Sequence, residues 1–375
     1  MGIKIIADDK IPFLKGALES FADVEYMAGG AITRDHIKDT DALLIRTRTL
    51  CDKALLENSS VKFIGTATIG YDHIDTAWCE SRGIVWKNAP GCNAGSVNQY
   101  MASTLVHLAR EFGSLKNRVL GVVGVGNVGA KVVNTAERLG MRVYLCDPPR
   151  VRNEGVCGFI SFEGILRECD IITFHVPLNL KGPDRTYHLI NQTMLDSVNE
   201  GTIIINTSRG EVADGKALKA ALERGKIAGA VLDVWENEPD IDFSLLDRCA
   251  IGTPHIAGYS ADGKARGTAM VVSELSRFFG LDLDEWVPLN IPVPEDHTIR
   301  IDCKGRTEEE ILTHAIESTY QVVMDDRRLR EAPELFEKQR GDYPLRREFN
   351  AYTVIPDNGS AEINRILRRF GFNVK

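Results

Sequence analysis

From residue 3 to about 235 the chain alternates short apolar runs with segments of helix length, and no other feature constrains its fold as strongly. The runs are KIIA near the start, ALLIR at 42–46, VKFIGTA at 61–67, RVLGVVGVG at 118–126, RVYLCD at 142–147, DIITFHVP at 170–177, GTIIINTS at 201–208 and AGAVLDVW at 228–235. Strands spaced by helices imply parallel βαβ units. In the first unit, 11–21 and IDTAWCESRG at 74–83 read as helical and GIVWKN at 83–88 as a further strand. NAPGCNAGS at 88–96 is rich in turn formers, and Ser96 is expected to cap a helix running to about 112. Val97, Met101, Leu105 and Leu108 recur there at three or four residues, so one face is buried.

Residues 260–280 read as a helix that returns to the first unit, and WVPLNIPVPED at 286–296 marks a boundary. The expected division is 1–95 with 259–285, then 96–258, then 286–375. The last part reads as a small α+β domain. TIRIDC is a strand, TEEEILTHAIESTYQVVMDD one long helix, NAYTVIP a strand and SAEINRILRRFGF a helix.

At 375 residues the chain exceeds one ordinary domain, and 43% hydrophobic with 26% charged residues is globular. A net charge of −8 argues against a nucleic-acid or anionic-membrane surface, so an anionic substrate needs a local cluster of Arg. The eight cysteines (51, 79, 92, 146, 157, 169, 249, 303) are too far apart for a CxxC motif and read as buried, reduced thiols. MGIKIIADDK enters an apolar strand without a signal-type run, which leads us to expect a cytoplasmic protein.

GVVGVGNVG at 121–129 follows an apolar strand, opens a helix expected over Val128–Leu139, and leads to a strand that ends in Asp147. That context is what a dinucleotide site requires. Gly124 permits a tight turn, Gly126 lets the pyrophosphate approach the backbone, and Gly129 lets the helix pack on the sheet. Asn127 and Val128 offer N–H groups at the helix N-terminus. Asp147 suits the adenosine ribose hydroxyls and repels a 2′-phosphate, which favours NAD, although Arg150 could accommodate that phosphate.

Oxidising an alcohol by hydride transfer calls for a base for the hydroxyl proton and a cation for the substrate carboxylate. His255 in TPHIAGYS fits the first role and Arg209 in NTSRG the second. Glu238 in ENEP would orient the imidazole and stabilise its charged form. Each follows a different expected parallel strand, and open α/β sheets bind ligands beyond their carboxyl ends. His73, His107, His175 and His188 show no metal-ligand spacing, and no metal is expected.

GTATIGYDHID (65–75), GVVGVGNVG, residues 206–239 and TPHIAG (253–258) together resemble the D-isomer-specific 2-hydroxyacid dehydrogenases. The resemblance implies two Rossmann-like, doubly wound parallel-sheet domains with the site in their cleft. It carries the His, Glu and Arg roles onto His255, Glu238 and Arg209. It puts Asp233 near the nicotinamide and Thr207, Ser208, Gly258 and the backbone of Val176 beside the cofactor, where relatives have a Thr in place of Val176. Arg46, Thr47, Thr68 and Tyr259 resemble substrate contacts. The third domain would then serve a homodimer, and the substrate would be a small phosphorylated hydroxy acid, with the basic pairs Arg327–Arg328 and Arg346–Arg347 candidates for its phosphate. Two other readings stay open: a different 2-hydroxy acid such as 3-phosphoglycerate, and a cofactor-sensing interaction protein without turnover.

Overall fold

A computed structural model describes residues 2–155 and 158–375. It contains two compact units, Met1–Asn93 with Ser260–Val293 and Ala94–Tyr259 with Pro294–Lys375. The first holds a five-stranded sheet of order β2-β1-β3-β4-β5, made from Ile3–Asp8 (β1), Ala22–Met27 (β2), Ala42–Ile45 (β3), Phe63–Thr66 (β4) and Val85–Lys87 (β5). All of its pairings are parallel. Its strands send alternate residues to opposite faces. Leu44 and Phe63 pack on one side with Val271 and Leu275 of the helix Ala261–Phe279, while Leu43, Ile45 and Ile64 join Ile37 and Cys79 on the other.

The second unit carries a six-stranded parallel sheet of order β11-β10-β9-β8-β6-β7. Its strands are Val119–Val123 (β6), Arg142–Cys146 (β7), Ile171–Phe174 (β8), Thr202–Asn206 (β9), Ile227–Leu232 (β10) and Ile251–Gly252 (β11). β6 and β9 are buried throughout, as strands covered on both faces must be. From β6 the chain steps outward to β7 and then crosses to β8 on the other side. Ligands bind doubly wound sheets beyond the strand ends at such a reversal.

Pro294–Lys375 adds a three-stranded parallel sheet, Thr298–Asp302 (β12), Thr353–Asp357 (β13) and Asn373–Val374 (β14). Its core residues Ile299, Ile301, Ile311, Leu312 and Val354 are continuous with Tyr100, Met101 and Leu105 of the helix Ala94–Phe112.

Four local expectations are corrected. Segment 11–21 buries Ile11, Leu14, Ala17 and Leu18 as a helix face would, yet it is a series of turns, with Pro12 early in it and positive φ at Phe13 and Gly16. β2, in which Asp23 and Glu25 alternate with Ala22, Val24 and Tyr26, is a strand where none was expected. Ser96 sits inside its helix and does not cap it. The single helix expected over 307–326 is two, Glu308–Glu317 and Val322–Glu331. Between them the hydroxyls of Ser318 and Thr319 donate to the carbonyls of His314 and Ile316, competing with helix continuation. Every described cysteine is buried, and Cys157 lies outside the described residues. Among the described residues no helix is long and apolar enough to cross a membrane.

Helix Ala261–Phe279 lies so close to β4 that a Cβ on Gly65 would come 2.5 Å from Val271 Cγ1. Gly65→Ala is therefore expected to lower unfolding free energy by about 1–3 kcal/mol through overpacking. Gly30→Ala, whose Cβ would meet nothing within 4 Å, is the control. Equal urea midpoints for the two variants would contradict this packing.

Candidate active site

Because all strands of the second unit's sheet are parallel, their carboxyl ends lie along one edge, and the loops that follow carry most of the expected site residues. After β6, Gly124 has φ +87°. A Cβ there would come 2.5 Å from the His175 carbonyl oxygen, and one on Gly129 would come 2.0 Å from the Gly124 oxygen. Both glycines are thus required by the protein itself. Gly126 is different, since a Cβ there would meet nothing within 4 Å. Its bare backbone faces open space, as a pyrophosphate cradle should. Helix Gly129–Arg138 starts just beyond, with Asn127 and Val128 in its first approach.

Asp147 caps the next helix, accepting the Arg150 N–H at 3.1 Å and the Val125 N–H at 2.8 Å. Lone pairs remain on both oxygens for ribose hydroxyls. Arg150 is engaged elsewhere: it donates to the Val125 carbonyl and to both oxygens of Glu154, and it lies over the Phe159 ring. A 2′-phosphate at that guanidinium would meet the Glu154 charge, so these residues fit NAD. Val176 packs against Gly124 and offers no hydroxyl.

Beyond β9 the buried Asn206 organises its own loop. Its amide donates to the Arg209 carbonyl, and its oxygen accepts from the backbone and hydroxyl of Ser208. The half-buried Arg209 guanidinium reaches the Ser208 carbonyl and has no carboxylate partner among the described residues. Gly210 is pressed onto the neighbouring loop, where a Cβ would come 1.9 Å from the Trp235 carbonyl oxygen. That contact sets the Arg209 and Glu238 loops side by side.

Glu238 accepts the Trp235 N–H at 2.9 Å on one oxygen and meets His255 Nδ1 at 2.8 Å with the other. Burial works against its charge, but the hydrogen bond and charge of His255, the Trp235 N–H and Arg340 outweigh it and hold the pKa below the usual carboxylate range. An ionised Glu238 requires the proton on Nδ1, which leaves Nε2 of a neutral His255 as the acceptor. His255 has φ +55°, a left-handed backbone held by N–H bonds to the carbonyls of Asp233 and Thr253. Asp233 is fully buried. It accepts from the Thr253 hydroxyl (2.7 Å) and from the N–H groups of Ile256 (2.8 Å) and Ala257 (2.9 Å). Burial raises its pKa, and these bonds with His255 oppose the rise.

Sequence reasoning missed four supports of this site: Asn206 in the Arg209 loop, and Tyr100, Thr253 and Trp235 at the His255 turn. Tyr100 OH lies 2.8 Å from Thr253 Oγ1, and Trp235 Nε1 donates to the Thr253 carbonyl. No local signal marks Tyr100, which is 153 residues from its partner. Thr207 Oγ1 lies 3.2 Å from His175 Nδ1, whose ring also meets Thr173. Tyr259 closes the turn through its N–H to Ile256 and lies 3.4 Å from an Arg340 nitrogen. Gly258 is half-buried beside it.

Arg46, Thr47 and Thr68 belong to the first unit, just past β3 and β4. Arg46 donates to the Lys10 carbonyl, and Thr68 joins a chain through Thr66 to His73. Of the basic pairs, Arg327 is exposed, Arg328 is paired with Asp325, and Arg346 and Arg347 are buried. Among the described residues no three His, Cys, Asp or Glu are grouped to hold a metal ion.

Residues 94–257 match the D-isomer specific 2-hydroxyacid dehydrogenase NAD binding domain, and 292–371 match a domain of unknown function, DUF3410. The chain is 50% identical to the erythronate-4-phosphate dehydrogenase of Bacteroides thetaiotaomicron, over 94% of this chain and 99% of that one. It is 43% identical to that of Porphyromonas gingivalis, over 99% and 100%. Among solved structures it resembles D-lactate dehydrogenase from Aquifex aeolicus complexed with NAD and lactic acid, with TM-score 0.60 and 26% identity over 76% of this chain and 97% of that one.

Burial alone lowers the His175 pKa to about 3. As pH falls below about 6.5, the unfolded chain takes up a proton that the folded chain refuses until about pH 3, so stability is lost through that window at up to about 1.4 kcal/mol per pH unit. In urea melts across this range, the stability gap between wild type and His175→Gln should narrow toward low pH. A constant gap would show that His175 is not buried neutral.

Proposed function

The chain belongs to the erythronate-4-phosphate dehydrogenase family of D-isomer specific 2-hydroxyacid dehydrogenases, and from that premise we propose how its residues divide the work. The reaction is oxidation of 4-phospho-D-erythronate to 3-hydroxy-2-oxo-4-phosphobutanoate, a step toward pyridoxal 5′-phosphate (vitamin B6). NAD, when bound, supplies the acceptor for the hydride that leaves C2. His255 takes the C2 hydroxyl proton at Nε2, and Glu238 holds Nδ1–H and stabilises the imidazolium that results. Arg209, free of any carboxylate among the described residues, pairs with the substrate carboxylate in two-pronged fashion. Gly124, Gly126, Asn127, Val128 and Gly129 hold the pyrophosphate and Asp147 the ribose. Val176, Thr207, Ser208, Asp233 and Gly258 line the nicotinamide side. Arg46, Thr47, Thr68 and Tyr259 are the substrate-binding groups of this reading.

The observation that carries it is the 2.8 Å His255–Glu238 pair on a left-handed turn. A three-carbon phosphorylated acid and a sensor without turnover are both less favoured by relatives that match end to end under one enzyme name. The enzyme works in this reading as a cytoplasmic homodimer. In support, Met324 and Leu345 of the C-terminal segment are exposed and line one shallow hollow.

Assays of NAD reduction should show 4-phosphoerythronate preferred over erythronate and 3-phosphoglycerate, and equal rates on all three would overturn the substrate. His255→Asn should cut turnover by roughly 10²–10⁴ while NAD affinity stays near wild type. Near-normal turnover would remove His255 from proton transfer.

Losing Glu238 destabilises the imidazolium. Glu238→Gln should therefore shift the acid limb of the kcat/KM profile to lower pH, and an unmoved limb would break the pairing. For the cofactor, Asp147→Ala should narrow the preference for NAD over NADP, and a wild type that already prefers NADP would refute the role of Asp147.

A further inference from the structure

We propose that the C-terminal segment is a brace for the catalytic turn, with Arg346 the positioning residue through which it acts on His255. This rests on the dehydrogenase reading above and gives a role to a segment whose matching family has none assigned. Arg346 is 5% exposed, so it is turned inward and not toward a substrate phosphate. One guanidinium nitrogen donates to the carbonyls of Ala257 and Ser96. Among the described residues Nε and Nη1 have no hydrogen-bond partner, and the ring of Tyr320 at 4.5 Å and that of Tyr343 at 5.9 Å lie against the cation instead. Burial works against this charge, but Tyr343, Tyr320, Asp325 and Asp233 outweigh it, and the guanidinium stays protonated.

The stretch just after His255 is thus gripped by opposite charges. Asp233 accepts the N–H groups of Ile256 and Ala257, and Arg346 donates to the Ala257 carbonyl. Three residues before His255, on the open edge of β11, the Gly252 N–H donates to Asp326 at 2.7 Å. Arg330 holds Asp326 and also donates to the carbonyls of Leu246 and Cys249, each at 2.8 Å. The C-terminal segment therefore touches the chain on both sides of the catalytic imidazole. It is itself anchored on helix Ala94–Phe112, where Gln99 donates to the Arg347 carbonyl and Ser96 to Glu348.

The left-handed backbone at His255 explains why such a brace is needed. A non-glycine residue in an unfavourable region is strained and persists only where its surroundings over-determine it. Asp233 fixes the N–H side of the turn. Without Arg346, the carbonyl side would relax and carry Nε2 away from the hydroxyl it serves.

The test uses the full-length enzyme with Arg346→Ala and Arg346→Lys. Lysine keeps a charge on one nitrogen but not the planar guanidinium that lies against the Tyr320 and Tyr343 rings while it donates. In both variants kcat should fall about 10- to 100-fold, the cost of a small misplacement, with NADH affinity within about threefold of wild type. Low concentrations of guanidinium should restore part of the kcat of Arg346→Ala and none of that of His255→Asn. A merely destabilising substitution would be worsened by guanidinium, and that result overturns the proposal. So does a folded Ala or Lys variant with kcat within about twofold of wild type. If the Ala variant does not fold, the Lys variant decides on the same kcat criterion.

A readout without turnover separates this idea from the functional reading. The downfield NMR signal of the His255 Nδ1 proton, assigned by its absence in His255→Asn, should move or broaden in Arg346→Lys. An unmoved signal overturns the brace. Failure of wild type to oxidise any hydroxy acid would instead overturn the assigned reaction and leave this signal to judge the brace.

Discussion

The buried carboxylate of Asp233 is the constraint on which the rest of the site depends. It directly follows β10 and is buried, and its charge is favoured by His255 and by three donors: the Thr253 hydroxyl and two successive N–H groups of the turn after His255. A carboxylate is suited to this place because it only accepts, so every neighbour can be a donor. An amide would bring a donor of its own into a cluster of donors. Since Tyr100 bonds Thr253 in turn, the long helix Ala94–Phe112 is tied to the same carboxylate.

From that fixed turn the chemistry follows by contact. Trp235 joins the loops of Glu238 and Thr253 by donating its indole N–H to one while its backbone N–H holds the other. Gly210 has no side chain because the Trp235 carbonyl occupies the space, and this brings the Arg209 loop against the Glu238 loop. An imidazole, a carboxylate and a guanidinium are thereby assembled from three strand ends of one parallel sheet. Alignment of this kind, set before any ligand arrives, is where enzymes gain much of their rate.

Arg346 shows how easily a charge pattern can mislead. Paired arginines in an acidic chain suggest an anion site, and nothing in the letters Arg346–Arg347 says that one of them points inward onto tyrosine rings and backbone carbonyls. The same limit explains the misread local elements. Apolar spacing over 11–21 correctly marks the buried residues, but turns satisfy that spacing as well as a helix does. Ser318 and Thr319 end a helix by taking carbonyls with their hydroxyls, an effect that depends on local geometry more than on periodicity.

What the sequence determined by itself is the order of the parallel strands' chemistry. Val- and Ile-rich runs can be little else than buried strands, and each is followed by its own cargo: the glycine turn, Asp147, Arg209, Asp233 and Glu238. These signals are local, a run and the few residues after it, so they survive without a structure. Only the tertiary structure decided which neighbours hold those groups. Tyr100, Trp235, Asp326 and Arg346 act on residues brought to them by folding, and a hydrogen bond between distant positions leaves no trace in either stretch of sequence alone.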